Sequence, residues 1–160
     1  KQHFPTLANF ETPQELKRWH PSYSTIRLST DVKQQGQSSM QVDLSPAEYP
    51  NISLADFIRN WEAFTQLNFS IYNPSEKTIN LVLKIYDKRH QQNSYQFNDR
   101  FNKEFTFKPG WTKIKQPLSE VENAPKNRKL QLNDIASLSL FMESPQHTTT
   151  FYIDELYLSQ

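Results

Sequence analysis

Strict apolar–polar alternation in short runs constrains this chain more than any other feature. Across residues 38–44, Met40, Val42 and Leu44 alternate with Ser39, Gln41 and Asp43. Residues 66–72 repeat the pattern through Leu67, Phe69 and Ile71, and residues 79–86 through Leu83 and Ile85. A period of two sends successive side chains to opposite faces, so each run reads as a strand with one buried face. Turn residues such as Asn73-Pro74-Ser75 and Pro109-Gly110 break the runs at spacings of about 8–12 residues, the rhythm of a sandwich or barrel. Further strands are expected at 25–29, 51–54, 101–107, 112–118, 135–142 and 151–158. The last slips phase near Asp154-Glu155, which predicts a bulge or kink. Residues 79–86 are expected to pair back onto residues 66–72. Thr12-Pro13-Gln14-Glu15 has the spacing of a capping box and predicts a short helical turn to about Arg18. The count is nine or ten strands with one short N-terminal helical turn, an all-β sandwich or jelly roll formed as a single domain over residues 1–160.

Composition removes several classes of function. The 160 residues carry 18 basic and 17 acidic side chains, a net charge of +1 that argues against a nucleic-acid footprint. Cysteine is absent, which excludes disulfides, thiolate catalysis and Cys-based zinc sites. The two glycines, Gly36 and Gly110, cannot build a phosphate-binding array. No apolar run approaches the roughly 20 residues of a membrane span, so direct membrane insertion is not expected. The chain begins at Lys1 without a signal-like segment and is expected to be excised from a larger exported protein.

Several segments in order carry a family likeness: Asn9-Phe10-Glu11, residues 35–42, 49–54, 67–74 and 98–102, Pro109-Gly110-Trp111, and residues 151–156. Together they resemble the galactose-binding-like jelly rolls of bacterial carbohydrate-binding modules. They also resemble the domain named after complex I intermediate-associated protein 30. The resemblance implies a module appended to exported or membrane-anchored proteins, with neighbouring domains and an extracytoplasmic location. It implies an oligo- or polysaccharide partner, held on the concave sheet face or at a loop rim. It further implies a structural Ca²⁺ where the first strand, the turn from Asp31 to Gly36 and the last strand meet, with Glu11 and Asp154 as acids.

Two constellations could carry recognition. Asp87, Arg89, His90, Tyr95, Asp99 and Arg100 lie in and around the loop between two strands. A sugar offers apolar C–H faces and hydroxyls, which an aromatic plane and bidentate polar groups match. The plainer reading is an Asp99–Arg100 ion pair with Tyr95 capping the core. Tyr72, Tyr86 and Phe141 fall opposite the apolar faces of their strands and are expected to share one groove with Asn68, Asn80, Lys84 and Ser139. The alternative is that loops, or the connector around Trp61, cover that face. Trp19 and Trp61 read as core, whereas Trp111 follows a turn and is a candidate for partial exposure. Tyr49 is a weaker loop candidate.

Asp87, Asp99, Glu104 and Glu143 could supply an acid–base pair for glycoside cleavage. No nucleophile elbow or HExxH is present, and His3, His20, His90 and His147 lack the spacing of a metal triad. The reading is therefore a non-catalytic carbohydrate-binding module. The alternatives are a structural or protein-interaction domain and, behind that, a glycan-active enzyme.

Overall fold

The alternating runs form two antiparallel sheets packed face to face. The structure, a computed structural model, describes residues 5–34 and 36–160; His3 and Gln35 lie outside the described residues. The strands are β1 (Thr6–Ala8), β2 (Trp19–Ser22), β3 (Ser24–Ser29), β4 (Ser39–Leu44), β5 (Asn51–Leu54), β6 (Gln66–Asn73), β7 (Ile79–Asp87), β8 (Phe101–Phe107), β9 (Gly110–Pro117), β10 (Ile135–Phe141) and β11 (Thr149–Ser159). Short helices α1 (Lys88–Gln92) and α2 (Leu118–Glu122) follow β7 and β9. Eleven strands among the described residues exceed the nine or ten expected, because the short β1 and β2 carry too little alternation to register in sequence.

One sheet runs β3-β4-β11-β6-β9, with β1 added on β11; the other runs β2-β5-β10-β7-β8. β11 holds the first sheet together. One edge pairs with β4 from Thr149 to Ile153 and then with β1 at Leu156 and Tyr157, while its other edge follows β6. The handover coincides with the expected bulge: the β6 register shifts between Asp154 and Tyr157, and Glu155 has φ 57°.

β7 does not pair back onto β6. The two strands belong to different sheets, β6 lying between β11 and β9 and β7 between β10 and β8. Alternation says that each strand buries one face, but a sandwich satisfies this equally well with the partner above as beside. The corner at residues 74–78 is held by Asn73. Its side-chain amide donates to Lys77 O (2.7 Å) and to Phe107 O (3.0 Å), and its Oδ1 accepts from Ser75 N (3.0 Å). The chain crosses again between β8 and β9, at Pro109.

The inward residues are those the pattern assigned. Met40, Val42, Leu44, Leu67, Ile71 and Ile85 are fully buried, as is Trp61, and Trp19 is 3% exposed. The N-terminal turn forms as a 3-10 helix (Pro13–Arg18), but Thr12 makes no side-chain cap. Glu15 turns inward instead and accepts from Trp19 Nε1 (3.1 Å) and Arg18 Nη1 (3.0 Å), so it anchors the indole rather than the helix.

Candidate functional site

On the five-stranded sheet the outward residues form registered rows. Ser53, Ser139, Lys84 and Asn102 lie side by side across β5, β10, β7 and β8. The next row is Asn51, Phe141, Val82 and Glu104. Asn51, Val82, Lys84, Asn102, Glu104 and Phe141 of these rows line a groove of about 560 Å³ together with Arg100, Tyr49 and Phe97. Tyr49 is 53% exposed and meets Phe141 edge-on at 5.9 Å, while Phe97 is 69% exposed. The Arg100 guanidinium lies over the Phe97 ring at 5.2 Å and donates through Nε to Asn102 Oδ1 (3.0 Å). The Lys84 ammonium sits 5.8 Å from the Phe141 ring and 6.0 Å from the Tyr86 ring. Burial, together with repulsion from Arg100, pulls the Lys84 amine below its ordinary value. Burial also lowers Arg100, against the opposing pull of Tyr86 and Tyr49. Planes for sugar C–H faces thus stand beside amide and cationic donors.

The loop after β7 is built differently. Asp87 caps α1 by accepting from His90 N (2.9 Å) and also accepts from Gln131 N (2.8 Å). Arg128 donates to both Asp87 oxygens (2.7 and 2.8 Å) and to both Asp99 oxygens (2.8 and 3.1 Å). His90 Nδ1 contacts Asp99 O and Oδ2, each at 3.1 Å. Both neighbours are acceptors at physiological pH, so Nδ1 carries the proton. Arg128 holds Asp99 at about 2, with hydrogen bonds from Asn93 and His90 adding to the effect and burial opposing it. Burial pushes Asp87 up, but Arg128 and the two backbone N–H groups outweigh it and leave the carboxyl below its ordinary value. Asp87, and then Asp99, raise the guanidinium in return.

This network corrects several sequence expectations. Asp87 and His90 are fully buried and present nothing to a ligand. Asp99 pairs with Arg128, not with Arg100, which is free to face the groove. Tyr95 is 53% exposed and packs on Tyr86 and His90, while Arg89 lines a separate polar hollow beside Asn93 and Arg128. The expected three-aromatic groove is split between sheets. Tyr86 and Phe141 belong to the groove sheet. Tyr72 lies on the outer face of the other, 5.3 Å from Trp111 and 5.8 Å from Tyr152, because β6 and β7 part company at the Asn73 corner. Asn68 lies with Tyr72; Asn80, Lys84 and Ser139 lie with Tyr86.

Arg128 and Phe97 were missed. Phe97 had one sequence signal, an apolar ring in a polar loop without strand phase. Arg128 had none, since its partners lie 41 and 29 positions away.

At the N-terminal end, Glu11, Gly36 and Asp154 converge on one hollow of about 290 Å³. Glu11 accepts from Gln37 N (2.8 Å) and Ser38 N (3.4 Å), and Asp154 accepts from Gln34 N (2.9 Å). Gly36 has φ 63°, and a Cβ there would collide with the Glu11 carboxylate. Asp31 is exposed and bonds Ser29 Oγ through its backbone N–H, outside the hollow. The meeting of first strand, turn and last strand is therefore real. Two carboxylates face it, and no group of three or more acids or histidines suited to a metal ion occurs among the described residues.

No family model matches the chain, and no curated protein is similar to it in sequence. Solved structures are similar in fold, and that fold is the β-sandwich of bacterial carbohydrate-binding modules. A family 11 carbohydrate-binding module from Clostridium thermocellum, solved with a β-1,3-1,4-mixed-linked tetrasaccharide, superposes with a TM-score of 0.70 at 15% identity. The match covers 97% of this chain and 94% of that one. The xylan-binding domain from CBM 22 matches at 0.57 and 16% identity, covering 98% and 94%. An exo-β-agarase matches at 0.73 and 17% identity over 97% of this chain but only 24% of its own.

Proposed function

We propose that this chain is a non-catalytic carbohydrate-binding module whose site is the groove on the outer face of the β2-β5-β10-β7-β8 sheet. The observation that carries the reading is the pair of open aromatic rings, Tyr49 and Phe97, flanking a floor of amides and cations on a carbohydrate-module sandwich. Sugar rings stack on Tyr49, Phe97 or Phe141 while Asn51, Asn102, Lys84 and Arg100 read hydroxyls. An open groove of this kind binds weakly, with Kd about 10⁻³ to 10⁻⁵ M, and gains avidity from neighbouring domains. The similar sandwich within a much longer agarase supports a place in a larger protein, and we assign that protein an extracytoplasmic location. Catalysis is disfavoured because Asp87 and Asp99, two of the four acids weighed for it, are committed to Arg128.

A structural Ca²⁺ belongs to the same proposal. Glu11 and Asp154, with carbonyls of the adjoining turn, would hold it, and it would supply stability rather than chemistry.

Isothermal titration against a panel of β-glucans, xylan and agaro-oligosaccharides, with Phe97→Ala and Tyr49→Ala alongside, tests the site. Binding that weakens in both variants supports it. Binding unaffected by both places the ligand elsewhere, and no binding by the parent to any of these glycans, nor to polygalacturonate or dextran sulfate, at millimolar concentration removes the carbohydrate reading.

A further inference from the structure

The groove holds a charge pattern that a neutral sugar does not need. We infer that its ligand is an acidic glycan, with a carboxylate or sulfate ester seated between Lys84 and Arg100. This inference rests on the carbohydrate reading above and narrows its ligand class.

Lys84 on β7 and Arg100 just before β8 are half-buried, and each is held by groups without net charge: Lys84 by the Tyr86 and Phe141 rings, Arg100 by Phe97 and the Asn102 amide. Neither forms an ion pair with a carboxylate among the described residues, although arginines at 18, 59 and 128 all do. The other charges facing the groove do not compensate. Lys103 is already paired with Glu120 at 3.3 Å. Glu104 and Glu143 line this groove and the adjoining hollow, and neither forms an ion pair with Lys84 or Arg100. Two like charges withdrawn from water beside each other cost free energy that an anion between them recovers. Burial lowers the affinity of both groups for their protons, and repulsion from Arg100 adds to the effect at Lys84. Arg100 can grip a carboxylate or sulfate through two N–H groups while Lys84 supplies a point charge. Phe97, which holds Arg100, is 69% exposed and leaves ring surface to the sugar.

The test uses backbone-matched pairs: polygalacturonate against its methyl ester, and dextran sulfate against dextran. The expected result is that an acidic member binds at least about tenfold tighter than its neutral partner at low salt. That preference should shrink from about 0.01 M to about 1 M salt, as the Debye length falls from about 30 to about 3 Å. Preference within the first pair assigns a uronate, within the second a sulfate ester. A Lys84→Met/Arg100→Gln double variant should lose the preference. A Lys113→Gln/Lys115→Gln variant on the opposite sheet, which removes the same net charge, should keep it. The inference is overturned if neither acidic glycan binds, if neutral and acidic members bind equally, or if both double variants lose the preference alike. Neutral glycans binding in the groove without an acidic preference would leave the carbohydrate reading standing and remove only this inference.

Discussion

Two clusters of charge flank the same loop, and they are built on opposite plans. Beneath it, Asp87, Asp99 and Arg128 interlock through four guanidinium–carboxylate hydrogen bonds, with His90 and two backbone N–H groups closing the set. Beside it, Lys84 and Arg100 face a groove, held by rings and an amide and without an ion pair among the described residues. The first cluster has its charges satisfied from within and is a structural brace. It ties the residues after β7 to the segment carrying Arg128, and Lys126 N to Asn98 O (2.9 Å) adds a second tie. The second leaves its charges to be satisfied from outside. Which acids and bases are paired, rather than how many gather, separates scaffold from site.

Breaking the brace should give the largest effect. Arg128→Met leaves Asp87 fully buried without its counter-charge and should cost about 3–5 kcal/mol, read as a lower urea midpoint. A loss below about 1 kcal/mol would mean that the brace is ornamental. The same cluster predicts an acid limb. Asp99 is held at about 2 in the fold against an ordinary 3.8, so its contribution is present above about pH 4 and is lost as pH falls toward 2. Thermal melts of the parent should fall through that window, and those of Arg128→Met should fall less steeply.

Changes in the groove should move affinity and leave the fold alone. Phe97→Ala and Tyr49→Ala should each weaken glycan binding about two- to tenfold, the worth of about 0.5–1.5 kcal/mol of ring contact, with unchanged melting. Lys84→Met strands no partner and should shift stability by no more than about 0.5 kcal/mol. A large loss would show that Lys84 is braced like Arg128 and would erase the contrast. The proposed Ca²⁺ predicts a melting temperature that falls in EDTA and recovers with added Ca²⁺; an unchanged midpoint counts against the ion.

The sandwich was legible because alternation is local. Met40, Val42 and Leu44 announce their strand from seven residues, and the phase slip at Asp154-Glu155 announces the bulge. Sheet membership is not local. Residues 66–72 and 79–86 look like a hairpin, but they part at the Asn73 corner, where Asn73 bonds Phe107 O, and enter different sheets. The same blindness misplaced Tyr72 beside Tyr86. It also hid Arg128, whose role depends on acids far along the chain, and so turned Asp87 and His90 into surface candidates. Lys84 and Arg100 were visible, but their lack of ion-pair partners is a property of three dimensions.

Glycan binding is proposed for the outer face of the five-stranded sheet. Backbone amide shifts followed by NMR during titration with a bound oligosaccharide test it directly. Perturbations are expected to cluster at Val82, Lys84, Arg100, Asn102 and Phe141, with the amides of Tyr72, Trp111 and Tyr152 unmoved. Perturbations centred on Tyr72, Trp111 and Tyr152 would contradict it.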